Sequence, residues 1–196
     1  MKRRERALFL ERDGVLNRDR GDVVRPEDFE WLPGATRALQ LLQQAGWRLV
    51  LTTNQPGIAR GLFGPAEYEN LTAWIRAELA QQGVALDGVH HCPHLTDAPL
   101  AAWRRQCDCH LPSPGMLRRA ARDLGLDLKN CVMVSARSAG IQAGRTAGVA
   151  ACVRIAAAEG AAEQASDASR TAADAICASL SEAADWVLSH ESALHA

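Results

Sequence analysis

The stretch that decides the fold lies near the amino terminus and reads ALFLERDGVLN, residues 7–17. A short apolar run, Ala7–Leu10, leads directly into two acidic residues, Glu11 and Asp13, separated by one position. The apolar run is typical of a buried β-strand, and acids at positions i and i+2 beyond a strand end can both face one pocket. A polar turn after a strand would explain the same pattern. The stretch therefore predicts a strand with candidate catalytic acids at its end.

Apolar strand-like runs alternate with amphipathic helical stretches along the rest of the chain. Strands are predicted at 47–52, 89–92, 131–134, 149–153 and 175–177, and helices at 35–45, 65–82, 114–124, 138–147 and 180–188. This alternation predicts parallel βαβ units in an open α/β sheet flanked by helices, with the chemistry at the loops beyond the carboxyl ends of the strands. We expect one domain, 1–196, with a variable loop or loose helix at about 156–173.

The composition excludes several classes of function. The chain has 196 residues and a formal net charge of -1, which gives no support for a nucleic-acid partner. No apolar run approaches the roughly 20 residues that span a bilayer. The apolar run at the amino terminus ends after Leu10, so it does not resemble a signal peptide. We therefore expect a cytoplasmic protein, without a membrane partner, that is a monomer.

Four metal-ligating residues crowd into one segment, in the order Cys92, His94, Cys107 and Cys109. Three thiols and one imidazole suit a closed tetrahedral zinc site, and four protein ligands leave no open position, so the zinc should be structural. His91 and His110 flank the segment and are alternative ligands. The predicted zinc loop, about 92–109, contains Trp103. The other cysteines lie in short apolar runs and are predicted to be core residues; they are Cys131, Cys152 and Cys177.

Several motifs together resemble one family of enzymes. They are FLERDGVLN, TTNQPGIARGLF at 52–63, HCPH with CDC, PSPGML, and IQAGRTAG. Over nearly the whole chain they resemble the haloacid-dehalogenase-type (HAD) phosphatases, and within them the subgroup that removes the 7-phosphate of heptose bisphosphate, which is also similar to histidinol phosphatases. The resemblance implies a Rossmann-like HAD fold, structural zinc at the four residues above, and Mg²⁺. It implies a nucleophile at Glu11 and a general acid at Asp13, with substrate contacts at Arg12, Thr53, Asn54, Gln55, Arg60 and His110.

The chain departs from the subgroup's pattern at four positions of the implied catalytic pocket. Glu11 stands in place of the nucleophilic aspartate, and its extra methylene displaces the attacking oxygen. Leu111 replaces a lysine, Ala136 a Mg²⁺-binding aspartate, and Gly140 a second aspartate. Positioned positive charge is the main catalytic resource in phosphoryl transfer. These departures predict that the Mg²⁺ site is lost.

The expected function follows from these losses. We expect a pseudophosphatase with a binding, scaffold or regulatory role in sugar-phosphate or surface-polysaccharide metabolism, whose partner is a sugar-phosphate ligand or another enzyme. The alternative is a slow or repurposed phosphatase that uses Glu11 as nucleophile or base on heptose 1,7-bisphosphate or a related sugar phosphate. A zinc-stabilised α/β domain is the remaining interpretation.

Overall fold

A computed structural model describes residues 6–156, 173–192 and 194. These residues form a sheet of six parallel strands in the order β3-β2-β1-β4-β5-β6. The strands are β1 (Ala7–Glu11), β2 (Arg48–Asn54), β3 (Gly88–Cys92), β4 (Val132–Ser135), β5 (Ala151–Ile155) and β6 (Ala175–Cys177). The helices are α1 (Ala35–Gln44), α2 (Pro56–Arg60), α3 (Pro65–Gln81), α4 (Gly115–Leu124), α5 (Ser138–Ala147) and α6 (Leu180–Ser189).

The parallel α/β fold class is confirmed, and the predicted strands and helices match the observed ones within a few residues. The short helix α2 is the exception, because Pro56 and Gly57 indicate a turn when only the sequence is considered. Proline is tolerated in the first turn of a helix, where its missing N–H has no partner to lose. The predicted variable segment, 156–173, lies outside the described residues except at its two ends, and the single-domain extent 1–196 stays a prediction.

Side-chain alternation on the central strand explains why helices cover both faces of the sheet. Leu8 and Leu10 of β1 point into a core that α1, α3 and α6 complete. Phe9 points the other way, into a second core completed by α4 and α5. Because β1 is buried on both faces, its first four residues, Ala7–Leu10, are all apolar rather than alternating with polar residues. Among the described helices, none is both long and apolar enough to cross a bilayer.

The strand order places a crevice at the carboxyl end of β1. The chain runs from β1 to β2 and β3 on one side and then returns to β4 on the other side. The connection that leaves β1 therefore runs to one side of the sheet, and the connection that leaves β4 runs to the other side. Ligands of open α/β sheets bind where two such connections diverge. Glu11 ends β1 and Ser135 ends β4, so the fold brings these two residues together.

Candidate functional site

Glu11 is a buried carboxyl group at the carboxyl end of β1. Its side chain is hydrogen-bonded through Oε2 to the hydroxyl of Ser135, and the residue is 6% exposed. Burial raises the pKa of Glu11 to about 7, although the Ser135 hydrogen bond and the charge of Arg137 act in the opposite direction. The neighbouring charge of Asp13 raises the pKa further. Near neutral pH, Glu11 is thus divided between a neutral acid and a carboxylate.

The Ser135 hydroxyl has partners for either charge state of Glu11. Its Oγ accepts the backbone N–H of Arg137 at 2.9 Å and lies 2.8 Å from the carbonyl oxygen of Arg137. A hydroxyl carries one proton. It donates that proton to an ionised Glu11, whereas a protonated Glu11 donates to Ser135, which then donates to the Arg137 carbonyl. The pair is therefore hydrogen-bonded in both states.

Asp13, the second predicted catalytic acid, is held by three donors. Arg12 Nε lies 3.1 and 3.2 Å from its two carboxylate oxygens, Asn17 Nδ2 donates at 3.0 Å, and Gln55 Nε2 donates at 3.4 Å. Arg12 is itself 2% exposed and donates to the Val23 carbonyl at 3.1 Å. The structure therefore places Arg12, predicted to contact substrate, at the side of Asp13 as its buried ion-pair partner.

The end of β2 contributes two further predicted substrate-binding residues. Thr53 Oγ1 accepts a hydrogen bond from Gln55 Nε2 at 2.9 Å. Asn54 forms a reciprocal pair with the backbone of Leu111, donating to its carbonyl at 3.1 Å and accepting from its N–H at 3.0 Å. Leu111 is 2% exposed and packs in the second core. Asn54 therefore anchors the backbone of the segment before α4 to the sheet edge.

Two arginines, Arg60 and Arg137, lie in the segments that follow β2 and β4. Arg60 ends α2, is half exposed, and lies 4.0 Å from a carboxylate oxygen of Asp22. Burial lowers the pKa of His110, and the charge of Arg60 contributes to the same shift. Arg137 pairs with Asp19 across the crevice. Burial tends to lower the pKa of Arg137, but the pairing with Asp19 outweighs it and raises that pKa. The charges of Glu11 and Asp13 raise the pKa further.

The crevice offers Mg²⁺ fewer side-chain oxygen ligands than the family pattern does. That ion requires near-octahedral oxygen coordination. Ala136, at the family's metal-binding position, has no side-chain oxygen, Glu11 is bound to Ser135, and Asp13 is engaged by Arg12. The guanidinium of Arg137 already supplies positive charge to the same two carboxyl groups.

The predicted zinc ligands converge on one point. Among the described residues, one group of metal-ligating side chains has its ligand atoms within 4.8 Å of one another, and it consists of Cys92, His94, Cys107 and Cys109. The three Sγ atoms lie 3.0 to 3.5 Å apart, and His94 Nδ1 lies 3.3 Å from Cys109 Sγ. A zinc–sulfur distance of about 2.3 Å gives ligand separations of roughly 3.8 Å in a tetrahedron. A small outward movement would therefore accommodate zinc.

Neither alternative histidine belongs to this group. His91 packs against Tyr68, with ring centroids 4.1 Å apart and the ring planes tilted by 37°. His110 Nδ1 lies 3.7 Å from Cys92 Sγ, next to the cluster.

The loop between His94 and Cys107 packs against α2. It contains a 3-10 turn, Ala101–Trp103, although its sequence has no regular pattern. The Trp103 ring lies 5.9 Å from the His94 ring and also packs on a cluster that includes Ile58 of α2. Leu100 N–H donates to the Ala59 carbonyl at 3.4 Å. A metal at the cluster would thus stabilise the position of α2, which carries Arg60.

Sequence reasoning missed three residues of the site. The sequence does not by itself identify Ser135 as a partner of Glu11, Arg137 as a nearby charge, or Asn17 as a donor to Asp13. A polar residue directly after the apolar run 131–134 was the available signal for Ser135. Its contact with Glu11 spans 124 positions and required the strand order.

Comparisons with known proteins identify the family of the chain. The sequence pattern of the haloacid dehalogenase-like hydrolases matches residues 2–148. A D-glycero-beta-D-manno-heptose-1,7-bisphosphate 7-phosphatase of Photorhabdus laumondii is 40% identical over 149 residues, which are 76% of this chain and 79% of that protein. A protein of the same name from Salmonella typhi is 38% identical over 182 residues, 93% of this chain and 89% of its own length. A 7-phosphatase named for the alpha anomer, also from Photorhabdus laumondii, is 34% identical over 150 residues, 76% of this chain and 82% of that protein.

A solved structure has the same fold. It is a D,D-heptose 1,7-bisphosphate phosphatase from B. bronchiseptica, complexed with magnesium and phosphate, with a TM-score of 0.77 and 32% identity. The match covers 94% of this chain and 99% of that one. The family resemblance inferred from the motifs is thereby confirmed.

Proposed function

Because the chain belongs to the haloacid dehalogenase-like hydrolases, we propose that its crevice binds a phosphorylated sugar of the heptose bisphosphate class, with phosphoryl transfer lost. The names of its relatives support this class of ligand. The observation that carries the loss of activity is the state of Glu11, which is buried, hydrogen-bonded to Ser135, and has a pKa of about 7.

The electrostatics of the crevice support impaired transfer. In-line attack requires an ionised carboxylate oxygen about 3 Å from phosphorus and aligned with the leaving group. A buried Glu11 that is partly neutral near pH 7, with its Oε2 hydrogen-bonded to Ser135, meets these conditions less well than a fully ionised carboxylate without that contact. Leu111 brings an apolar side chain into the second core in place of a cation. The positive charge that stabilises a transferring phosphoryl group is therefore reduced.

A second candidate is a slow phosphatase, and the comparisons favour it over an inactive protein, because relatives about 40% identical are named as phosphatases. In this reaction a Glu11 oxygen would form a bond to phosphorus while the bond to the sugar oxygen breaks. Asp13 would give its proton to the leaving oxygen, and water would then hydrolyse the acyl phosphate. The rate would rise with pH through about 7, as Glu11 ionises.

One set of measurements separates these proposals. Phosphate release from both anomers of heptose 1,7-bisphosphate is followed with and without Mg²⁺, for the unmodified protein, Glu11→Gln and Asp13→Asn, and binding is measured by calorimetry. We expect binding of a heptose bisphosphate without appreciable release. Metal-dependent release that rises through pH 7 and disappears in both variants would establish the second candidate. Absence of binding to either anomer would reject the class of ligand.

We further propose a structural zinc ion at the four clustered ligands, a monomeric state and a cytoplasmic location. A partner enzyme in sugar-phosphate or surface-polysaccharide metabolism would give an inactive homologue a role. Light scattering after size-exclusion chromatography tests the monomer. Co-purification from the native cell tests the partner, and fractionation of that cell tests the compartment.

A further inference from the structure

The first turn of α5 lies unusually close to the end of β4. A Cβ added to Gly140 would lie 2.3 Å from Ser135 Oγ and 2.6 Å from Ser135 Cβ. Real Cβ atoms do not approach other atoms below 3.0 Å. A third neighbour, Met133 Cε at 3.0 Å, is the end of a flexible chain and can move aside. Ser135 Cβ is fixed by its backbone, so the obstruction at position 140 comes from Ser135.

The Ser135 side chain cannot easily turn away, because its hydroxyl is engaged on several sides. It joins Glu11 at the end of β1 to the backbone of Arg137 at the start of α5. Ser135 is fully buried, so a rotated hydroxyl would lose these partners without gaining water. The hydroxyl therefore stays where it holds Glu11 and where it excludes a side chain at position 140.

We infer that Ser135 and Gly140 are a mutually dependent pair, in which the serine positions Glu11 in a metal-free crevice and requires glycine at position 140. This inference rests on the proposed impairment of the site. It concerns two positions where the family pattern carries glycine at 135 and aspartate at 140, whereas this chain has serine and glycine. With serine at 135, an aspartate at 140 has no space. Restoring a Mg²⁺ site through Ala136→Asp and Gly140→Asp therefore requires Ser135→Gly as well.

A thermal double-mutant cycle tests the steric dependence without reference to activity. It compares the unmodified protein, Ser135→Gly, Gly140→Ala and the double variant. We expect Gly140→Ala alone to lower Tm by roughly 2–12 °C, as overpacking does in a domain of this size. In the Ser135→Gly background the same change should leave Tm unchanged or raise it, because alanine is favoured over glycine within a helix. An equal loss of Tm in both backgrounds would overturn the inference.

Gly144 provides a matched control on the same helix. A Cβ there would lie 2.8 Å from both Cys152 Sγ and Met133 Cβ, and Ser135 is not among its three nearest neighbours. Gly144→Ala should therefore lower Tm by the same amount with either residue at position 135. If the loss of Tm caused by Gly144→Ala depended on Ser135 as strongly as the loss caused by Gly140→Ala, Ser135→Gly would be loosening the whole of α5. That result would contradict a specific contact between Ser135 and position 140.

Two measurements test whether Ser135 positions Glu11 and whether Ser135→Gly is needed to restore a metal site. Because the Ser135 hydrogen bond lowers the pKa of Glu11, Ser135→Ala should move the Glu11 titration, followed by carboxyl ¹³C NMR, to higher pH. An unmoved titration would contradict the positioning role. Mn²⁺ binding, measured by electron paramagnetic resonance, should be at least ~10-fold tighter in Ser135→Gly/Ala136→Asp/Gly140→Asp than in Ala136→Asp/Gly140→Asp, about 1.4 kcal/mol. Equal affinities in two folded variants would also overturn the inference.

Discussion

Replacing Glu11 by Gln should remove a pH dependence of stability that the unmodified protein has around neutrality. Burial raises the pKa of Glu11 from 4.5 to about 7 in the folded chain. The folded state therefore binds this proton more tightly than the unfolded state. The resulting contribution to stability is fully present below pH 4.5 and is lost as the pH rises through about 7.

The magnitude follows from the two pKa values. With 4.5 for the unfolded chain and about 7 for the folded one, linkage predicts a loss of about 1.4 kcal/mol in the free energy of unfolding between pH 6.0 and pH 8.5. For a chain of this size, that change corresponds to roughly 3–6 °C in Tm. Gln keeps the size of Glu11 and its hydrogen bond to Ser135 but has no proton to release. The variant should thus gain in stability relative to the unmodified protein as the pH rises.

Urea unfolding of zinc-loaded protein, followed by circular dichroism at several pH values in this range, measures the difference. Glu30→Gln is the matched control, since hydrogen bonds from Arg18 and Arg20 lower the pKa of that exposed carboxyl group. It should leave the pH dependence of the unmodified protein unchanged. Parallel stability curves for the unmodified protein and Glu11→Gln would refute the reasoning, because Glu11 would then be ionised in the fold throughout.

Three further predictions concern the surroundings of Glu11. Chelation of zinc, or Cys109→Ser, should remove one zinc per chain by elemental analysis and lower Tm by at least ~5 °C, since structural zinc contributes to folding; an unchanged Tm would mean that the loop is stable without metal. Arg12→Met should cost about 3–5 kcal/mol in urea unfolding, because it leaves the Asp13 carboxylate, which is only 11% exposed, without its main partner; a cost below about 1 kcal/mol would contradict the ion-pair role. Asn54→Ala should cost about 1–3 kcal/mol and speed hydrogen exchange at the Leu111 amide, whose acceptor is lost; unchanged exchange would show that another contact anchors this segment.

The α/β fold and the grouping of three cysteines with one histidine were predictable because both depend on local spacing. A short apolar run followed by an amphipathic stretch determines each strand and helix, and the C-x-H and C-x-C pairs bring ligands together over few residues. The identity of Glu11 and Asp13 as the acids at the edge of β1 was equally local. Expected loss of activity rested on residue types alone, and the names of the relatives favour the slow-phosphatase alternative instead.

The contacts that set the state of the site depend on which strands are neighbours. Because β4 lies beside β1, Ser135 reaches Glu11 across 124 positions and its side chain fills the space beside Gly140. Asn54 and Leu111, 57 positions apart, meet because β2 ends beside the segment that follows the zinc loop. Sequence alone therefore determined the elements, the acids and the candidate metal ligands, whose geometry arises within a few residues of chain. Tertiary structure alone decided the burial of Glu11, which raises its pKa, and the space around it. Burial and close packing arise only when distant segments meet.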